Sequence, residues 1–128
     1  MQHEFNKHFS IYHRMKSFRY AFRGIFLVIR NQHNCWIHLS VLLIVIILGI
    51  IFSLTSWEWC IIILTSALVL SLEAVNTALE YLVDMVSPQY QKQARDIKDI
   101  AAGAVLISAV AAVIAGLLIF LPKFMLLT

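Results

Sequence analysis

From Cys35 to Leu54 the chain reads CWIHLSVLLIVIILGIIFSL, with no acid and no Lys or Arg. About twenty such residues cover the hydrocarbon core of a bilayer as a helix, so this is the first predicted span. A second begins near Trp59 with WCIIILTSALVLSL and continues through a more polar stretch to about Val86. Pro88 then stops it. At 1.5 Å per residue that helix is roughly 40 Å long, so its last turns should leave the bilayer or tilt. A third span runs from Ile100 to Leu121, and Pro122 with Lys123 is expected to close it. Ahead of the spans, residues 5–31 or so are too charged to cross but keep a helical period. Ile11, Met15, Phe18, Phe22, Phe26 and Ile29 form one stripe, and Lys16, Arg19, Arg23 and Arg30 a neighbouring one. That pattern predicts a basic amphipathic helix on a membrane surface. It serves as an anchor and orientation signal, or as a basic wall over an anionic ligand.

The fold class that follows is an all-α membrane protein, one domain over residues 1–128, with a surface helix and three transmembrane helices. Composition agrees: 61% of the residues are hydrophobic and 13% charged, against roughly 45–50% and 25% for soluble domains. No cleavable signal sequence is expected, because the first thirty residues carry Lys7, Arg14, Lys16, Arg19, Arg23 and Arg30 and no apolar core. The connection TSWEW has no basic residue, and its Trp57 and Trp59 suit an interfacial aromatic belt. The connection SPQYQKQARDIKD holds Lys92, Arg95 and Lys98, so nine of the ten basic residues fall on one side. The positive-inside rule places the N-terminus and that loop in the cytoplasm and the C-terminus outside. A formal charge of +3 is too small to argue for nucleic acid. Cys35 and Cys60 flank the first span, roughly 30 Å apart, which predicts two free thiols. Ala104, Ser108, Ala112 and Gly116 recur every fourth residue, a stripe that lets helices approach closely and favours self-association.

The polar part of the second span poses the functional question. SLEAVNTALEYLVDMV carries Glu73, Asn76, Glu80 and Asp84 at intervals of three, four and four, which places them on one helical face. A charge near the bilayer centre costs at least about 2.5–3.5 kcal/mol, so several on one face demand a reason. An interhelical clamp with the cytoplasmic Lys and Arg is one. An ion or proton pathway centred on Glu73 is another, although the acids continue toward the cytoplasmic loop and the outer halves of the spans lack charge. The third is a catalytic site at the cytoplasmic interface, with one acid as base, another on a metal, and basic residues on phosphate. RDIKDIAAG strengthens it by placing Lys98 and Asp99 at the expected start of the third span, where a helix N-terminus and a Lys would meet phosphate. Neither a Walker-type nor a kinase-like glycine loop occurs.

EAVNTALEYLVD followed by ARDIKDIAAGAVL resembles the small integral-membrane lipid kinases of bacteria, the diacylglycerol kinase and undecaprenol kinase family. KSFRYAFRGI and WIHL add to the likeness, which runs from about Lys16 to Leu121. The resemblance implies a homotrimer in the bacterial cytoplasmic membrane, with active sites between subunits at the cytoplasmic interface. It implies magnesium-dependent transfer of the γ-phosphate of ATP to a lipid hydroxyl. Carried over by motif, Glu73 is the general base, Glu80 a magnesium ligand, Asn76 a nucleotide-positioning residue and Asp84 a supporting acid. Lys98 and Asp99 engage nucleotide, and Tyr20 matches a tyrosine that contacts it. Where the family usually has a second metal-binding Glu, this chain has Gln32, which keeps an oxygen but loses the charge and should weaken the metal site. A catalytically weakened nucleotide- or lipid-binding homologue is therefore the alternative, and a proton-coupled transporter a more distant one. SFRYAFRGI and IH favour undecaprenol, the carrier lipid of cell-wall synthesis, over diacylglycerol as the substrate.

Overall fold

The computed structural model describes residues 11–126, which form four α-helices: α1 (Ile11–Asn31), α2 (His33–Ile51), α3 (Ser56–Val86) and α4 (Lys92–Met125). No strand occurs among the described residues. The three later helices are long and apolar enough to cross a membrane. Residues 5–10 of the expected surface helix lie outside the described residues.

α1 carries its apolar stripe outward. Ile11, Met15, Phe18, Phe22 and Phe26 are all exposed, and only Ile29, near the junction with α2, is half-buried. An amphipathic helix whose apolar face is left largely exposed by the described residues is built for a lipid surface or another subunit. Gln32 alone separates α1 from α2; its extended backbone breaks the helix.

α3 and α4 are antiparallel neighbours and make the most extensive helix contact, while α2 packs more lightly on α3. At 1.5 Å per residue the two long helices measure about 46 and 51 Å, well beyond the ~30 Å hydrocarbon core. Their surplus turns lie at one end and hold Glu80, Asp84, Lys92, Arg95 and Lys98.

Several boundaries differ from the sequence expectation. Only residues 87–91 separate α3 from α4, so Lys92, Arg95 and Lys98 belong to a helix and not to a loop. Lys98 accordingly ends the second turn of α4 and Asp99 begins the third, past the free N–H groups of its first turn. The expectation of a phosphate cradle at a helix start beside them is corrected. α4 also runs through Pro122 to Met125. Proline forfeits a backbone bond there, but the final turn is held by side chains: Phe124 packs edge-on against Phe52, ring centroids 4.7 Å apart, and Lys123 pairs with Glu58 at 3.0 Å.

A hydrophobic cluster closes the end remote from the acidic face of α3. Leu54, Ile62, Ile119 and Phe120 form a buried cluster with Phe52 and Trp59 against it. Trp59 is therefore part of the packing, and only Trp57, 82% exposed, is free to act as a belt residue. Gly49 is required beside it, because a Cβ there would lie 2.7 Å from the Trp59 ring. Ser53, at a φ of 49°, turns the chain between α2 and α3. Thr55 then caps α3 by a reciprocal exchange with Glu58, so the helix begins at Ser56, three residues before the expected start. Cys35 and Cys60 are free thiols, as expected. In the small-residue stripe Ser108 is already buried within the chain, and nothing lies within 4 Å of a Cβ built on Gly116. Close approach along this stripe is thus partly used inside the chain.

Candidate active site

The four polar residues of α3 share a face but not an environment. Glu73 is 2% exposed and Asn76 7%, whereas Glu80 is half-buried and Asp84 exposed. The face therefore passes from sealed to open along three turns of one helix. Thr77, also buried, returns its hydroxyl to the Glu73 backbone carbonyl at 2.9 Å and leaves the Glu73 carboxylate free.

Glu80 is pinned by two amides. Asn76 donates Nδ2–H to one carboxylate oxygen at 2.9 Å, and Gln32 donates Nε2–H to the other at 3.4 Å. One contact is local, a helical i to i+4 pair. The other reaches across 48 residues and exists because the break between α1 and α2 sits against α3. Asn31 reinforces that junction by donating to the Tyr81 hydroxyl at 3.0 Å. Among the described residues neither Glu73 nor Glu80 has a Lys or Arg partner. Asp84 does: Lys98 of α4 pairs with it. An interhelical clamp therefore accounts for Asp84 and leaves the two deeper acids for other work.

A carboxylate only accepts, so Asn76 must turn its N–H toward Glu80 and its carbonyl the other way. That Oδ1 is buried with no hydrogen-bond partner. A buried orphan of this kind costs about 1–3 kcal/mol and calls for a ligand. Beside it lies an open pocket of about 280 Å³, lined by His38 and Asn34 of α2, Glu73 and Asn76 of α3, and Ala102, Val105, Leu106 and Ala109 of α4. Its α4 wall is apolar and runs for about 10 Å along the helix. It thus offers polar groups at one side and a hydrocarbon-compatible wall at the other.

The expected site residues divide accordingly. Glu73, Asn76, Glu80 and Gln32 come together, with Lys98 and Asp84 one helical turn beyond Glu80. Asp99 does not join them, since its carboxylate faces Arg95 of its own helix at 3.6 Å. Tyr20 is exposed on α1, and no hydrogen bond links it to the acids. His38 was not singled out from sequence as a site residue; it stood there only within the WIHL and IH resemblance, and its place one turn after Asn34 gains meaning once α2 is set against α3.

The oxygen donors suit a hard divalent cation only in part. Among the described residues no three His, Cys, Asp or Glu side chains converge as a metal cage. One carboxylate, Glu80, and the amide oxygen that Gln32 could rotate toward it fit a magnesium ion that takes the rest of its shell from phosphate and water.

The sequence profile of the family described as Prokaryotic diacylglycerol kinase matches residues 19–120. A protein of Bacillus subtilis named undecaprenol kinase is 44% identical over 108 residues, which cover 84% of this chain and 88% of that protein. A protein of Synechocystis named diacylglycerol kinase is 43% identical over 107 residues, 83% of this chain and 61% of that protein.

Proposed function

Because the chain belongs to the prokaryotic diacylglycerol kinase family, we propose that it transfers the γ-phosphate of ATP to the hydroxyl of a membrane lipid, undecaprenol in preference to diacylglycerol. The observation that carries this reading is the sequence of environments along α3. Glu73, a buried carboxylate whose side chain makes no hydrogen bond among the described residues, lines a half-apolar pocket, and two turns along the same face Glu80 accepts from the Asn76 and Gln32 amides.

The chemistry runs across that distance. The lipid alcohol enters the pocket with its chain along the α4 wall. The Glu73 carboxylate takes the hydroxyl proton as the alcohol oxygen bonds to the γ-phosphorus. The bond from the γ-phosphorus to the bridging oxygen breaks, and ADP leaves with that electron pair. General-base assistance of this kind contributes about 10²–10⁴ in rate. Glu80 and Gln32 would hold magnesium, which would offset the negative charge of the phosphates when bound. Lys98, one turn further, supplies a point charge to the phosphates. The Lys98–Asp84 pair keeps that ammonium on the site's side of α4. Tyr20 and Asp99 are proposed to contact nucleotide from the α1 and α4 sides.

The same reading places the acid-bearing end in the cytoplasm, where ATP is, and it agrees with the bias of nine basic residues toward that side. It takes residues 1–128 as one kinase domain in the bacterial inner membrane, assembled as a homotrimer. The exposed apolar faces of α1 and of the spans leave ample surface for lipid and for neighbouring subunits. Undecaprenol is favoured by the N-terminal and IH motifs and by a relative that this chain matches over most of both lengths. The family membership favours phosphoryl transfer over proton-coupled transport.

The test is direct. The purified protein in detergent receives ATP and magnesium with undecaprenol or with diacylglycerol, and phosphorylated lipid is measured. Product with undecaprenol in excess of diacylglycerol, lost in Glu73→Gln, is the expected result. Product with neither lipid overturns the reading.

A further inference from the structure

His38 lines the pocket together with Glu73 and Asn76, half-buried on α2, and among the described residues no hydrogen bond ties its imidazole to the protein. The pocket's polar groups can be counted by what they donate and accept. The Glu73 carboxylate accepts, and the orphaned Asn76 Oδ1 accepts. Asn34 is at the exposed rim. His38 is the side chain at the pocket's interior that carries an N–H to give in its neutral form. A bound alcohol presents one O–H and two oxygen lone pairs. Its O–H has an acceptor in Glu73, but one lone pair must face the phosphorus and the other needs a donor. Without a donor the hydroxyl can rotate and the reactive lone pair is not aimed.

We propose that His38 is the hydrogen-bond donor that holds the lipid hydroxyl oxygen against Glu73. This inference rests on the lipid kinase reading of the same pocket. The depth of His38 supports it: five residues into α2, it lies one turn beyond Asn34 and on the same side of the helix. It thus lines the same pocket as Glu73, the deepest acid, whereas neither Glu80 nor Gln32 lines that pocket. The role is therefore specific to the lipid half of the reaction, and nucleotide handling should not depend on it.

The experiment measures kcat and the KM for undecaprenol and for ATP separately in the unaltered chain, His38→Leu and His38→Gln, each checked for thermal stability in detergent. Loss of one donor to a reacting oxygen corresponds to a loss of about 10- to 100-fold. The expected result is such a fall in kcat/KM for the lipid in His38→Leu, an unchanged KM for ATP, and substantial recovery in His38→Gln, whose amide can donate. Full lipid kinetics in His38→Leu overturn the inference and leave the kinase reading standing. Parallel losses toward lipid and ATP, unrelieved in His38→Gln, also overturn it and assign His38 to packing. No lipid product from the unaltered chain overturns the reading and the inference together.

Discussion

Asn76 gives its amide N–H to Glu80 at 2.9 Å and thereby leaves its own carbonyl oxygen buried and unpaired beside the pocket that holds Glu73. One side chain thus joins the two halves of the proposed site. Its orientation is set by Glu80, and the same residue lines the pocket proposed to take the alcohol. Asn76→Leu removes both functions without adding charge. The expected outcome is at least a ~10-fold fall in kcat, since one buried donor and one acceptor are lost together. Asn76→Asp should be worse, because it places a second carboxylate next to Glu80. Steady-state phosphorylation of undecaprenol checks both.

Glu73→Gln keeps the size of the side chain and removes its basicity. Lipid phosphorylation should fall by about 10²–10⁴, while nucleotide affinity, measured by equilibrium binding, should hold. Loss of nucleotide binding in this variant would contradict the division of labour along α3.

Gln32 faces Glu80 at 3.4 Å as an amide donor. Gln32→Glu should replace that contact with like-charge repulsion in the absence of a cation and a stronger cation site in its presence. The half-saturating magnesium concentration for activity is expected to fall, on the order of tenfold. A magnesium titration of initial rates reads this directly, and an unchanged midpoint would remove Gln32 from the metal site.

Lys98 pairs with Asp84, whose side chain is 64% exposed, so the pair itself adds little to stability. Lys98→Met should leave the thermal transition nearly unmoved. The KM for ATP should rise instead, by about tenfold or more, since a charge-assisted contact to phosphate is removed. A large drop in melting temperature with unchanged KM would make Lys98 a structural residue.

Gly49 tests the opposite end of the bundle. A Cβ there meets the Trp59 ring at 2.7 Å, so Gly49→Ala must displace a packed indole. Overpacking of this sort costs about 1–3 kcal/mol. A lower melting temperature with near-normal activity below it is expected, because the strain lies at the end remote from Glu73.

The spans, the surface helix and the acidic face were all legible in the chain itself. Each depends on local periodicity: an apolar run long enough for a bilayer, or polar residues three and four apart on one helix. Glu73, Asn76, Glu80 and Asp84 had to share a face as soon as α3 was a helix. What their neighbours would be was not settled at that level. Gln32 reaches Glu80, His38 reaches the Glu73 pocket and Lys98 reaches Asp84 only because separate helices pack side by side. Pro122 reads locally as a stop, yet α4 continues past it because Phe124 and Lys123 find partners on the α2–α3 turn and on α3. Periodicity determined which residues face the same way. Tertiary packing decided which of them are paired, which are sealed, and which are left unpaired at a pocket, since those outcomes depend on contacts between positions tens of residues apart.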